Sequence, residues 1–247
     1  MSGPRDHTKM ELASGEVRRG TFIHGAWQGI VKVEYPGGSV YVGGFRGEFQ
    51  HGRGLMTHQD GNFYDGDWVH GVKTGKAVMK GNHGKYSGDV VGSVPTGIGR
   101  YEDSKGNVYE GQVKASKPHG WGSMQWTNGS VYVGEWKHAL MQGKGTYSYG
   151  TGEVYCGHFV KGKRHGFGVL KGAGRLQHSG QWRFNRRHGR GCCVHSDGLV
   201  FFGRWACDQR HGRGGVLLDR RLSSHSMWLK GVEVQGVGPG FVDLGLD

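Results

Sequence analysis

The chain has 247 residues with 51 glycines, about one in five, only 5 prolines, 35% hydrophobic residues and a formal net charge of +12. Collagen is excluded by the scarce proline and the lack of a three-residue period, and one large compact core by an apolar share below the usual ~45–50%. Disorder is a poor fit to 8 Trp, 10 Tyr and 10 Phe, rings that are costly to leave in water, and no apolar run approaches the ~18 residues of a membrane-spanning helix.

Residues 1–17 are polar and carry no apolar signal-peptide core, so they are read as a flexible N-terminal segment. Four cysteines in a chain this long are too few for a disulfide scaffold, which places the protein in the cytoplasm with reduced thiols.

From Arg18 onward a repeat takes over. Gly20, Gly43, Gly66, Gly88, Gly111, Gly134, Gly157, Gly180 and Gly203 follow one another at spacings of 22 or 23 residues. Each unit reads Tyr-x-Gly-x-Trp/Phe, then a polar stretch, then His-Gly-x-Gly. The first part is clean at Tyr132–Trp136 and Tyr155–Phe159, the second at His51, His119, His165, His188 and His211 with their following glycines. Departures include Arg18 and His178 for the tyrosine, Val90 and Val113 for the second ring, and Val31 and Ala77 for the last glycine.

Within a unit, Asp60-Gly61, Lys105-Gly106, Asn128-Gly129 and Asp197-Gly198 are read as two-residue type I′ hairpin turns. That register pairs Trp121 with Trp136 on one face. Alternation puts Tyr132, Gly134 and Trp136 on the same side of their strand, with the rings lying over glycine backbone. The His-Gly-x-Gly glycines are placed in longer loops on the opposite edge. The expected fold is all-β, an elongated, twisted, single-layer antiparallel β-meander of about nine 23-residue hairpins over residues 18–219. Residues 220–247 are read as a degenerate tenth unit, through Ser226, Trp228, Gly231, Gly236 and Gly238, or a capping tail.

Charge concentrates toward the end. Tyr155–Arg221 holds 14 Lys/Arg against 3 Asp/Glu, nearly all of the net charge. Lys161, Lys163, Arg164, Arg186, Arg187, Arg190, Arg210 and Arg213 fall in successive long loops of this reading. They are candidates for a basic ladder on one edge that binds an anion, or else are ordinary solvated loops. Tyr64, Trp68, Tyr132, Trp136, Tyr155, Phe159, Trp182 and Trp205 are candidates for an aromatic face that takes an extended or helical partner segment. The same rings could equally be the only core the ribbon has.

No catalytic constellation is visible, and neither cofactor nor metal is expected. Cys192, Cys193, His195, Cys207 and His211 have the count of a zinc site, but His211 occupies the recurring histidine slot. Gly71–Ala77 resembles a phosphate loop that is one residue short, with alanine at the magnesium-binding position. Asn128-Gly129-Ser130 is a turn before it is a glycosylation site, and Arg213-Gly214-Gly215 is a single copy of an RNA-binding tripeptide.

The unit resembles the MORN (membrane occupation and recognition nexus) repeat over most of the chain. The resemblance implies a curved ribbon and a non-enzymatic scaffold or adaptor associated with the cytoskeleton: a ciliary or flagellar axoneme, or the cell cortex. Axonemal proteins are the implied partners, acidic tubulin tails would suit the basic ladder, and unpaired strand edges allow a homodimer. The alternative is reversible binding to anionic phospholipids such as phosphoinositides at the membrane periphery. Nucleic acid ranks last, for want of a recognised module.

Overall fold

The structure, a computed structural model, describes residues 7–172, 177–218 and 221–237. Asp219, Gly238 and the first six residues, parts of the segments assigned above, lie outside the described residues. Among those described there is no helix, and the strands form an open antiparallel meander, as expected. The described residues form 21 strands rather than about 18.

The chain divides into two compact units, Met1–Gly120 and Trp121–Asp247, each taken by itself. The first holds β1 (His7–Glu11), β2 (Val17–Ile23), β3 (Ala26–Glu34), β4 (Val40–Gly47), β5 (Phe49–Thr57), β6 (Phe63–Val69), β7 (Val72–Gly81), β8 (Gly84–Val91), β9 (Val94–Asp103) and β10 (Val108–Lys114). Strand β11 (Lys117–Gln125) spans the boundary. The second unit continues with β12 (Val131–Lys137), β13 (Leu140–Ser148), β14 (Val154–Val160), β15 (Lys163–Lys171), β16 (Gln177–Arg183), β17 (Arg186–Val194), β18 (Val200–Ala206), β19 (Gln209–Leu218), β20 (Arg221–Leu229) and β21 (Val232–Val237). Three strands lie outside the nine hairpins. His7–Glu11, within the segment read as flexible, pairs with β2, and the segment read as a degenerate tenth unit or a capping tail holds the β20–β21 hairpin.

The two edges are the reverse of the sequence expectation. The Xaa-Gly corners are three-residue loops. Trp126 donates its amide to Ser130 O at 2.9 Å, and Gly129 donates to Trp126 O at 3.0 Å. Only the glycine is left-handed there, with φ of 78° at Gly61, 81° at Gly129 and 87° at Gly198. The Asp or Asn before it accepts the amide just beyond the corner: Asn62 N to Asp60 Oδ1 and Ser130 N to Asn128 Oδ1, both 3.0 Å, and Leu199 N to Asp197 Oδ1 at 2.9 Å. That side-chain bond holds the residue in the right-handed region and gives a type I turn with a bulge rather than type I′.

The tight two-residue turns close the other edge, at His70-Gly71, Ala115-Ser116, His138-Ala139, Lys161-Gly162, Phe184-Asn185 and Cys207-Asp208. Both residues of each have positive φ, the requirement of type I′. Successive turns are laced together: Gly162 N donates to Met141 O, Asn185 N to Arg164 O and Asp208 N to Arg187 O, at 2.9–3.0 Å.

The extra corner residue moves the register by one, and such a slip turns every side chain to the opposite face. Repeat glycine therefore faces repeat glycine, as in Gly54–Gly66, Gly145–Gly157, Gly168–Gly180 and Gly191–Gly203. Trp121 is not paired with Trp136: it is 58% exposed, whereas Trp136 is 5% exposed. The His-Gly-x-Gly glycines lie inside strands, not in loops.

The core of each unit is the ring face. Tyr132 is fully buried above Gly134 and Gly145, and a Cβ on Gly145 would collide with its ring. Its hydroxyl arches over the glycine and donates to Glu135 O at 3.0 Å. Tyr41, Tyr64, Tyr86 and Tyr155 make the same bond to the carbonyl three residues on, at 2.8–3.1 Å. The indoles of Trp68, Trp136 and Trp182 donate to Gly54, Gly122 and Gly168 carbonyls at 3.0–3.1 Å. Every buried polar tip named here thus has a backbone partner, the tyrosines within their own repeat and the indoles in the preceding one.

Candidate partner-binding surfaces

The eight rings singled out from the sequence are all buried: Tyr132 and Tyr155 fully, Tyr64, Trp68, Trp136, Phe159, Trp182 and Trp205 at 1–5% exposure. The structure places them as core rather than as a lining open to a partner. In the second unit they make one edge-to-face ladder. It runs Trp136, Tyr132, Phe159, Tyr155, Trp182, His178, Trp205, Phe201 and Trp228, with centroids 5.1–5.8 Å apart, the preferred geometry for aromatic pairs. Burial pushes the Tyr64 and Tyr109 phenols up to about 12.

The eight basic residues do not share one edge. Arg164, Arg187 and Arg210 lie on the ring face, each opposite the second ring of its own repeat, Phe159, Trp182 or Trp205. Each stacks on the next repeat: Arg164 on Trp182 at 4.3 Å, Arg187 on Trp205 at 4.1 Å, Arg210 on Trp228 at 4.8 Å. Turn residues hold two of them further. Arg164 Nη2 donates to Asn185 O at 2.9 Å, and Arg187 meets both the carbonyl and the carboxylate of Asp208. These arginines are lids on the core, and such contacts contribute ~0.5–2 kcal/mol each. Lys161, Lys163 and Arg186 remain exposed at the tight-turn edge, while Arg190 and Arg213 are exposed on the face opposite the rings.

At His51 and His165 the recurring histidine packs through its ring. His51 Nδ1 and His165 Nδ1 are buried without a hydrogen bond, and the rings abut turn residues His70 and Phe184 at 5.4 and 4.9 Å. All four cysteines are free thiols, and among the described residues no three His, Cys, Asp or Glu side chains could hold a metal ion.

Two devices escaped the sequence reading. One is the arginine lid, which recurs every 23 residues at 164, 187 and 210. The other is the residue after the repeat glycine. Its side chain caps the amide of the outward residue of the following glycine motif: Asp67 takes Lys76 N, Asp89 takes Ile98 N, Glu135 takes Lys144 N and Gln181 takes Arg190 N, at 2.8–3.1 Å. The bonds from Lys76 Nζ and Ile98 N hold the Asp89 carboxyl below its ordinary range. The signal was an Asp, Glu or Gln in that slot.

The outward residues are the x of Gly-x-Gly or its equivalent: Arg53, Lys76 and Ile98 in the first unit, and Trp121, Lys144, Phe167, Arg190 and Arg213 in the second. All are exposed. In the first unit they border a groove of about 540 Å³ floored by Ala77, Gly88 and Gly99. In the second, Trp121 and Phe167, each 58% exposed, flank a groove of about 520 Å³ walled by Val133, Thr146, Cys156 and Val169.

Among solved structures, the chain resembles a mutant TCP10 domain of Danio rerio CPAP at 12% identity, covering 80% of this chain and 93% of that one, TM-score 0.43. It also resembles the Drosophila melanogaster SAS-4 (dCPAP) TCP domain, solved in complex with a proline rich motif of Ana2 (dSTIL), at 10% identity over 70% and 92% of the chains, TM-score 0.38. A third is the G-box domain of the microcephaly protein CPAP, at 12% identity over 81% and 100%, TM-score 0.33. No curated protein matches the chain. The MORN repeat model matches eight consecutive segments, residues 41–63, 64–84, 86–108, 109–131, 132–154, 155–174, 178–200 and 201–214. These are the hairpins whose tyrosine, glycine and indole geometry is described above, and the chain belongs to the MORN repeat family, a non-enzymatic binding repeat.

Proposed function

We propose that the protein is a cytoplasmic, cytoskeleton-associated scaffold that holds partner protein segments along its sheet, in a ciliary or flagellar axoneme or at the cell cortex. The observation that carries this is the division of labour within the repeat. Tyr, Gly and Trp fix a core that is the same from hairpin to hairpin. The outward x position is left to vary among Arg, Lys, Ile, Trp and Phe, so each repeat presents a chosen side chain at a fixed spacing of ~10 Å. The partner-contacting residues are then on the outward face rather than among the buried rings. Extraction of cells with mild detergent followed by crosslinking of the insoluble residue tests the reading. The protein should stay with the cytoskeletal residue and crosslink to its components, whereas complete extraction would overturn it.

A second reading rests on the tight-turn edge. Lys161, Lys163 and Arg186 are exposed there beside Phe184, itself 50% exposed. A ring among cations suits an anionic phospholipid surface such as a phosphoinositide membrane, each cation adding ~1 kcal/mol. Flotation with phosphoinositide vesicles checks it: the charge-reversed variant of these three residues should stay at the bottom while the natural chain floats.

A further inference from the structure

The outward row of the second unit carries cations without the acids that accompany them in the first. In the first unit each basic x residue stands across from a carboxylate. Arg53 faces Asp67 and Lys76 faces Asp89, with ion pairs of 3.7 and 2.5 Å and a further pair from Arg53 to Asp65 at 3.3 Å. In the second unit the same slots place Lys144 across from His158, Arg190 across from Arg204 and Arg213 across from Met227. Arg190, Arg204 and Arg213 are all exposed, and none forms an ion pair among the described residues. Two arginines directly opposite on one sheet face repel each other. That arrangement costs the free sheet something and is relieved by an anion lying across it. Glu135, in the same row, is engaged by the Lys144 amide.

Next to this cationic end the row carries two rings, Trp121 and Phe167, with Lys144 between them at the lip of the groove. Trp121 and Phe167 stand two repeats apart, ~19 Å at the usual strand spacing, and the groove between them is walled by Val133, Cys156 and Val169. A groove of about 520 Å³ takes side chains, whereas a bilayer surface would leave its floor unfilled. From Trp121 to Arg213 is four repeats, ~40 Å, the reach of about twelve extended residues.

Resting on the scaffold reading above, we propose that this face is the docking surface for an extended acidic segment of a partner protein. Its apolar side chains seat between Trp121 and Phe167, and its carboxylates lie over Arg190, Arg204 and Arg213. Such carboxylates gain charge-assisted, bidentate bonds from the guanidinium forks.

The test uses the full chain and a random twelve-residue peptide library displayed on phage. The best enriched peptide, labelled with fluorescein, is then followed by anisotropy. Enriched sequences should share apolar residues followed by Asp or Glu, and binding should weaken with salt. Replacing Arg190, Arg204 and Arg213 by Glu should raise Kd at least about tenfold, as should Trp121→Ala with Phe167→Ala. These side chains are exposed, so the thermal midpoint should hold. An Arg→Gln triple variant, losing affinity with no new acid, guards against misfolding. No enrichment, or enriched peptides that bind the variants equally well, would overturn the proposal. So would binding of phosphatidylserine vesicles through these same arginines, which makes the ligand a lipid surface. If the arginine variants stay fully with the cytoskeleton, this surface is refuted and the scaffold reading stands. Acidic-peptide binding in a chain that detergent fully extracts keeps the surface and removes the cytoskeletal assignment.

Discussion

The two units share one repeat frame and fill it differently. In the first, the ladder runs through Tyr41, Trp68 and Tyr64, and the second-ring slot of the next hairpin holds Val90. Pro95 stands opposite, in the place an arginine lid occupies elsewhere. Its outward face is closed by ion pairs from Arg53, Lys76 and Arg100 to Asp65, Asp89 and Glu110. In the second unit the ladder is continuous, arginines cover it, and Arg190, Arg204 and Arg213 form no ion pair among the described residues. Core contacts and surface contacts are therefore set independently. The glycine and tyrosine positions make the sheet, and the alternating positions between them decide whether a face is satisfied internally or open to a partner.

The largest expected effect tests the core half of this comparison. Trp182 touches Tyr155, His178 and the Arg164 lid, so Trp182→Ala should cost ~3–5 kcal/mol by denaturant unfolding. Val90→Ala, at the corresponding slot of the first unit, should cost ~1–2 kcal/mol, because fewer atoms and no lid are lost. Equal costs would mean that the ring ladder adds nothing beyond ordinary burial.

The next effect is at the flaw in the ladder. His178 replaces the tyrosine of its repeat, is 3% exposed and has neither ring nitrogen hydrogen-bonded. Burial, and then the charge of Arg187, bring it down to about 4. The folded state therefore binds fewer protons than the unfolded chain between about pH 4 and the ordinary histidine value near 6.5. Stability rises with pH across that window and is lost as pH falls through it. His178→Tyr should restore the hydroxyl bond to the carbonyl of residue 181, add ~1 kcal/mol and flatten the pH dependence in that window. Thermal midpoints of the two proteins measured from pH 4 to 7 check it, and parallel curves would show that His178 does not titrate with folding.

How much of this was legible follows from the same residues. The 23-residue period, the rings over glycine and the strand alternation were readable, because each is a side-chain identity at a fixed spacing. The turn assignment was not. Asn128-Gly129 is equally good chemistry for a type I′ turn and for a type I turn with a bulge, and the bond that the Ser130 amide donates to Asn128 Oδ1 favours the second. The true type I′ corners at Ala115-Ser116, His138-Ala139 and Cys207-Asp208 carry no turn signature. They are forced into the left-handed region by the twist of the hairpin they close. Misplacing the turns carried Arg164, Arg187 and Arg210 into loops. Once the strands are extended through them, alternation puts all three on the ring face. The rings were read as a face open to a partner, yet all eight are buried: sequence gives no measure of exposure, and glycine beneath a ring buries it as effectively as a second layer would.

The smallest expected effect on stability sharpens the comparison most. Arg204→Glu would rebuild, across from Arg190, the cation–carboxylate pair that Arg53 and Asp67 make in the first unit. An exposed cross-strand pair of this kind is worth only ~0.2–1 kcal/mol, and repulsion is removed at the same time, so the thermal midpoint should rise slightly or not move. Binding of an acidic segment should nonetheless fall, because Arg190 is then occupied from within the sheet. A drop in the midpoint would show that the unpaired arginines serve the fold rather than a partner. A stable variant that keeps its affinity would show that the paired face of the first unit is as able to bind as the open face of the second.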